Sequence, residues 1–322
     1  MNIRYKKYHI LFPYTDWEFI YSKSDYTSPF VSPEIMRLAI TNFYPYYITK
    51  FQYPTTLIIY DNEIPVFGCV LVVSIFKRNV EIFGNETGFN FCSPIWIDEK
   101  YIPVGLELLQ RLYGNITLHK IREDNPILFY SSHDSVINRP SVNISFDHCY
   151  DLYFNSLTKS VRQNIRTAYN RLHTDGQSLN FIALDHCSYK NNLDQILFIS
   201  NKRHYERYGH NASWIKKLFL KYLNFATIIY KRSSLSLSFL LKIDNKPAAF
   251  MSGLLTDNRY IVPRLAIDID FKRYSPGLIL INEAIKYFIE NGVVDNLDLS
   301  FGEEKYKFDM GGGTYKMLSY RL

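Results

Sequence analysis

Apolar residues recur at steps of three and four in some stretches of the chain and at alternate positions in others, which predicts helices and strands following one another throughout. The clearest helix is SLTKSVRQNIRTAYNRL, where Leu157, Val161, Ile165, Ala168 and Leu172 share a face and Gly176 ends the pattern. Further helices are predicted over 32–42, with Pro33 in the first turn, and over 106–112, 192–208 and 213–223. A hairpin runs from Thr55 to Gly84 and turns at Asp61-Asn62. Strands are predicted over 115–120, 148–154, 179–184, 226–231, 235–243 and 247–255. The string NRPSVN, Asn138 to Asn143, is polar, contains Pro140 and shows no period. It predicts a boundary and two domains, 1–142 and 143–322. Alternating strands and helices make the fold class α/β (or α+β).

The stretch from Arg259 to Lys307 reads as strand, tight basic turn, helix, strand. Pro263 lies inside the first strand and predicts a bulge or an edge. A bulge that splays the sheet gives an extended ligand somewhere to lie. The turn is Lys272-Arg273-Tyr274-Ser275-Pro276-Gly277, with Ser275 as N-cap, Pro276 as first helical residue and Leu278 following. Unpaired N–H groups at that helix start, beside two cations, suit an anion such as a pyrophosphate. The plainer reading is that Gly277 serves helix packing while Lys272 and Arg273 are simply solvated.

The 322 residues, 47% hydrophobic and 21% charged, fit a globular protein long enough to bury a core without staples. A net charge of +6 steers anions modestly and does not by itself indicate nucleic acid. The four cysteines are far apart and form no C-x-x-C pair, as in a reduced cytoplasmic protein. No apolar segment follows the charged N-terminus. The longest apolar run, Ile64 to Phe76, is too short to span a bilayer and reads as a buried strand.

The second half resembles the GNAT acyltransferase fold, and the whole chain resembles the CelD-like branch of GNAT proteins, related to Fem-type aminoacyltransferases. The segments that carry this are FVSPEIMRLAI, YDLYFNSLTKSVRQNIRTAYNRL, NKRHYERYGHNASW, FKRYSPGLILINEAI and LDLSFGEEKYK. The resemblance implies tandem GNAT-like acyl-CoA N-acyltransferase domains, each a mixed central sheet flanked by helices, the first a degenerate copy that shapes the acceptor site. It implies acetyl-CoA or another acyl-CoA as co-substrate, held by Lys272, Arg273, Tyr274, Ser275, Gly277 and Leu278, and no metal. The acceptor it implies is a small molecule or glycan precursor, such as an amino sugar of a surface polysaccharide. Two other readings stay open. One is a Fem-like transferase using aminoacyl-tRNA, the one case with a nucleic-acid partner; the other is a non-catalytic scaffold in polysaccharide assembly. Fem-type enzymes that load from tRNA often carry a long helical hairpin insertion, which this chain lacks, and that favours acyl-CoA.

Acyl transfer to an amine needs a neutral nucleophile and hence a base. Glu206 and His204 are the candidates, in a segment with Arg203, Tyr205 and His210 that is expected to line the acceptor side. The spacing of these histidines and the glutamate matches no zinc motif. Arg162 and Arg166, four residues apart with Lys159 and Arg171 nearby, form either a solvated face or a basic rim for a phosphorylated acceptor. Beyond the last strand of the motif, Tyr306 either protonates a departing thiolate or, with Lys307, buttresses the sheet; Lys307 is also a candidate substrate contact. Gly311-Gly312-Gly313 with Lys316 does not have P-loop order, and no G-x-S-x-G elbow occurs.

Overall fold

The computed structural model describes residues 2–322 other than 10, 77–79, 85–91, 131–135, 209–232 and 257; at 136–139, 207 and 208 it describes the backbone alone. In chain order come β1 (Ile3–Tyr8), α1 (Tyr14–Lys23), α2 (Pro33–Ile48), β2 (Gln52–Asp61), β3 (Ile64–Ser74), β4 (Val80–Ile82), β5 (Ile95–Trp96), α3 (Tyr101–Tyr113), β6 (Ile116–Arg122) and β7 (Val136–Ser145). Then follow α4 (Tyr150–Ser156), α5 (Lys159–Thr174), β8 (Leu179–Asp185), α6 (Leu193–Tyr208), β9 (Ser236–Ile243), β10 (Lys246–Leu255), β11 (Arg259–Ile267), α7 (Pro276–Asn291), β12 (Asn296–Phe301), α8 (Lys305–Asp309) and β13 (Gly313–Arg321). The predicted helix 213–223, the predicted strand 226–231 and His210 lie outside the described residues.

The chain divides into two compact units, Met1–Pro140 with Tyr315–Leu322, and Ser141–Thr314. The first carries strands in the order β1-β2-β3-β4-β6-β13, with β5 beside β3. Only β4 and β6 in it run parallel, joined through α3. The chain's last strand completes this sheet, Met317 facing Arg122 and Arg321 facing Thr117. The β2–β3 hairpin turns on Asn62 and Glu63, both at positive φ, one residue later than expected. Asp61 still pairs with Ile64 and is therefore a strand residue. Leu57, Ile59, Phe67 and Leu71 pack with Ile102, Leu106 and Leu109 of α3 to make the core.

The second unit repeats the plan, with strands in the order β7-β12-β11-β10-β9-β8. Its one parallel pair, β11 and β12, is joined through α7. Alternation along β9 and β10 sends Leu237, Phe239, Leu241, Ala249 and Met251 into a core with α5 and α7. Leu240 and Phe250 point the other way, to Ile196 and Ile199 of α6. Both faces are covered, so these strands read as nearly continuous apolar runs. Helix α5 begins after Thr158, whose hydroxyl accepts from the Val161 N–H at 3.4 Å, a cap of the kind that contributes about 1 kcal/mol.

One expectation is corrected and one refined. The two units part between Pro140 and Ser141, inside NRPSVN, yet that string is strand rather than loop: Val142 and Ile144 of β7 are fully buried, and Ile144 pairs with Leu297. The segment 148–154 is not a strand. Residues 150–156 form α4, because Tyr150, Tyr153 and Phe154 fall at helical spacing and pack into the α7 core, where the Tyr150 hydroxyl donates to Asn282 at 2.8 Å. Tertiary packing overrides the β preference of that aromatic-rich composition.

Candidate active site

The site forms where the second sheet stops being continuous. Pairing of β11 with β12 runs from Arg259–Asn296 to Ile261–Asp298 and ends there. Just beyond, both strands carry an extra residue. On β11, Val262 and Pro263 together face Gly253, since Ser252 pairs with Arg264 and Leu254 with Ile261. Gly253 is required at that point: a Cβ would lie 2.2 Å from the Ile261 carbonyl oxygen. On β12 the register with β7 shifts between Asp298 and Phe301, where Ser300 has φ +54° and its N–H donates to the Asp298 carboxylate at 2.8 Å. A bulge bends its strand and ends local pairing. The bulge expected at Pro263 is therefore present, and the β11 edge past it has no strand beside it among the described residues.

A cavity of about 720 Å³ opens along that edge. Its β11 wall is Arg264 to Ile267, and alternation decides what each residue meets. Ala266 packs with the α6 core, and Arg264 joins Ser200, Arg203 and His204 in the lining. Leu265 and Ile267 pack on the opposite face, where the lining is Lys272, Gly277, Leu278 and Ile281. The cavity thus reaches both faces of the sheet through the gap between its two parallel strands. Glu304 and Tyr306 complete the wall.

At the α7 end the geometry differs from the expected cap. Residues 269–274 form a 3-10 turn headed by Asp268, which is buried, accepts from the Asp270 N–H at 3.0 Å and pairs with Lys202 at 2.5 Å. Ser275 is left-handed, with φ +51°, and its side chain caps nothing. Its carbonyl already accepts from the N–H groups of Leu278 and Ile279, at 3.0 and 3.2 Å. The Gly277 N–H makes no hydrogen bond among the described residues. Arg273 does not reach the cavity. It pairs with Asp175 at 3.0 Å, and Asp175 also accepts from the Tyr274 hydroxyl at 2.9 Å. The cation on the cavity wall here is Lys272, which has no ion-pair partner among the described residues. One N–H, one ammonium and the helix dipole still converge, which suits a phosphate oxygen. Gly277 belongs to this arrangement, since a Cβ there would sit 3.2 Å from the Ile267 side chain.

The predicted bases fare differently. Arg264 donates to His204 Nε2 at 3.1 Å and to the Ser200 hydroxyl at 2.8 Å. An arginine can only donate, so Nε2 spends its lone pair there and cannot take a proton from a substrate. Glu206 does not line the cavity; its carboxylate sits 3.6 Å from Arg203. Tyr205 is exposed and outside the lining, while Arg203 is part of it. The cavity's carboxylate is instead Glu304.

The SFGEEKYK motif is explained by packing. Gly302 has φ +104°, and a Cβ there would lie 2.4 Å from the Glu304 carboxylate. Lys307 is buried, and its ammonium donates to the carbonyls of Leu299, Ser300, Phe301 and Gly302 within 3.3 Å and meets Glu304 at 3.1 Å. Its donors are fully used at the end of β12, an arrangement that matches the buttress alternative. Burial lowers its pKa, against the pull of Glu304. Tyr306 lines the cavity, and its hydroxyl has no hydrogen-bond partner among the described residues. Burial first, then the Glu304 charge, pushes its pKa up to about 12, so it stays a proton donor.

The arginines of α5 make contacts of their own. Arg162 donates to the carbonyls of Asn155 and Leu157 at 2.6 and 2.7 Å, closing the end of α4. Arg166 lies over the Phe154 ring, and Arg171 donates to the Arg273 carbonyl at 2.9 Å. The cavity lining also holds Arg264 and Ser200, which the sequence did not single out. The signal for Arg264 was its place directly after Pro263, because a bulge re-aims the side chain beside it.

Comparison with known proteins bears on the class. Residues 159–308 match the family model of the acetyltransferase (GNAT) domain. No curated protein matches the sequence. Among solved structures it is similar to FemX, with 10% identity over 98% of this chain and 97% of that one and a TM-score of 0.60. A tandem GNAT protein from the clavulanic acid biosynthesis pathway matches with 9% identity, 99% and 98% coverage, and a TM-score of 0.51. The C-terminal domain of a putative lysylphosphatidylglycerol synthetase from Agrobacterium fabrum matches with 11% identity, 79% and 80% coverage, and a TM-score of 0.54. At such identities the likeness is one of fold.

Proposed function

We propose that the second unit is a CoA-dependent N-acyltransferase of the CelD-like kind, acting in the cytoplasm on an amine, with an amino sugar of a surface polysaccharide precursor as acceptor. The observation that carries this reading is the cavity that runs through the opened sheet from the α7 start to Tyr306 and Glu304. An acyl-CoA fits it with its pyrophosphate at Lys272 and the Gly277 N–H, and its apolar arm against Leu265, Ile267 and Leu278. The thioester then lies near Tyr306, and the acceptor enters from the α6 face, beside Arg264.

The chemistry follows from that placement. Glu304 takes a proton from the acceptor ammonium, and the neutral amine attacks the thioester carbon. Backbone N–H groups on the unpaired β11 edge stabilise the oxyanion. Collapse breaks the C–S bond: the departing thiolate takes the Tyr306 proton, and the second proton of the attacking nitrogen passes to the resulting phenolate, which restores Tyr306. The products are an amide and a free thiol, with no covalent enzyme intermediate.

Titration calorimetry with acetyl-CoA tests the donor. Binding in the micromolar range is expected for the wild type. Gly277→Trp, which fills the cavity from the helix start, should abolish it while the melting temperature holds. No heat from the wild type with any CoA species would overturn the reading.

A further inference from the structure

A second feature, in the first unit, has no part in acyl transfer. Four large apolar side chains stand exposed together where α2 ends and where β3 ends: Ile48 at 46%, Phe51 at 58%, Ile75 at 59% and Phe76 at 75%. They form a built knob. The Phe51 N–H donates to the Ile48 carbonyl at 2.9 Å, the Ile75 N–H donates to the Phe51 carbonyl at 2.9 Å, and the Phe51 and Phe76 rings meet edge to face at 5.1 Å. Phe51 holds φ +56°, a left-handed conformation that asparagine or glycine adopts far more readily. A bulky aromatic residue kept there with its ring in solvent gains nothing for folding from either circumstance. Clustered exposed apolar residues mark an interaction site.

Charge indicates the partner. The sequence has no Asp or Glu from Ile35 to Tyr60 or from Ile64 to Val80, while Lys50, Lys77 and Arg78 fall within those stretches. Lys50 lies between the two apolar residues of its turn, with its ammonium over the Tyr46 ring at 4.7 Å. An apolar tip with Lys50 beside it, on stretches of sequence that carry cations and no acids, suits a surface with anionic headgroups outside and hydrocarbon beneath. Exposed side chains on two adjacent turns can each enter lipid without a shaped socket, which a protein partner would have to supply. Among the described residues no helix is long and apolar enough to cross a membrane, so contact of this kind would lie at the surface.

We infer that Ile48, Lys50, Phe51, Ile75 and Phe76 form a docking knob for an anionic lipid bilayer. Sedimentation of the full chain with vesicles tests it. The protein should pellet with vesicles of phosphatidylcholine mixed with phosphatidylglycerol, and not with phosphatidylcholine alone. The double variant Phe51→Asn, Phe76→Ser should weaken partitioning about tenfold or more. Asparagine suits the left-handed position, so an unchanged melting temperature is expected. Lys50→Glu should give a smaller loss that high salt masks. Absence of wild-type binding, or binding the double variant retains, overturns the inference. So does a vesicle-free dimer in analytical ultracentrifugation that the double variant dissolves, since the knob would then serve a second copy of the chain.

Discussion

The two units share one strand plan but treat its parallel crossover differently. In the first, β4 passes through α3 to β6, and the space beside the helix is filled. Trp96 and Phe67 are buried, and Gly105 of α3 sits so close that a Cβ would lie 2.5 Å from the Phe67 ring. The residues leading into α3 are Asp98, Glu99 and Lys100, and the lysine is paired with Asp98 at 3.1 Å. The cavity beside β4 and β6 is about 200 Å³ and polar, lined by Glu81, Asn115, Thr117 and Arg321 among others. In the second, β11 passes through α7 to β12, bulges end the pairing, and Lys272 and Gly277 stand where the first unit has a paired lysine and an aromatic plug. Topology alone therefore does not make a site. Two extra residues in facing strands and a small residue at a helix start open the cavity.

That contrast can be broken most sharply at Lys307, which ties the end of the opened strand β12. Lys307→Met leaves four carbonyls without their donor and should cost about 3 kcal/mol of stability in chemical denaturation. A loss within about 0.5 kcal/mol, as for an ordinary surface change, would show that the opening does not depend on this buttress. Tyr306 is the next test. Tyr306→Phe should lower kcat about a hundredfold with little change in acetyl-CoA affinity. Because its pKa is raised, the wild-type kcat should not fall through loss of this proton at the ordinary phenol value, about pH 10. A basic limb there that Tyr306→Phe removes would reverse the assignment. The smallest effects separate the two neighbouring cations of the turn. Lys272→Ala should weaken acetyl-CoA about tenfold in calorimetry. Arg273→Ala should change it about twofold at most, since a solvated cation outside the cavity acts only at long range. Equal losses would mean that Arg273 leaves Asp175 to bind the ligand.

Much of the fold was legible because its signals are local. The α5 stripe Val161, Ile165, Ala168 and Leu172 is buried as its spacing requires. Helix α6 begins at Leu193, one residue from the expected start, and α7 begins at Pro276 as expected. Pro263 announced the bulge because a residue without an N–H cannot continue a ladder. Where reading failed, a distant partner had decided. The polar string 138–143 marks the boundary between the units but not its strand, whose ladder β12 supplies. The aromatic run at 150–154 looked like a strand until the α7 core took its rings.

The sequence by itself determined where backbone and period act: the helices, most strands, the bulge, and the approach of a lysine and a glycine to the start of α7. Only the tertiary structure decided which polar groups remain available there. Arg273 is occupied by Asp175, ninety-eight residues away, and His204 by Arg264, sixty residues on. Lys307 is spent on the strand it closes. Such choices come from contacts between parts of the chain that no local pattern links. A motif can therefore name a neighbourhood without showing which of its charges are already paired.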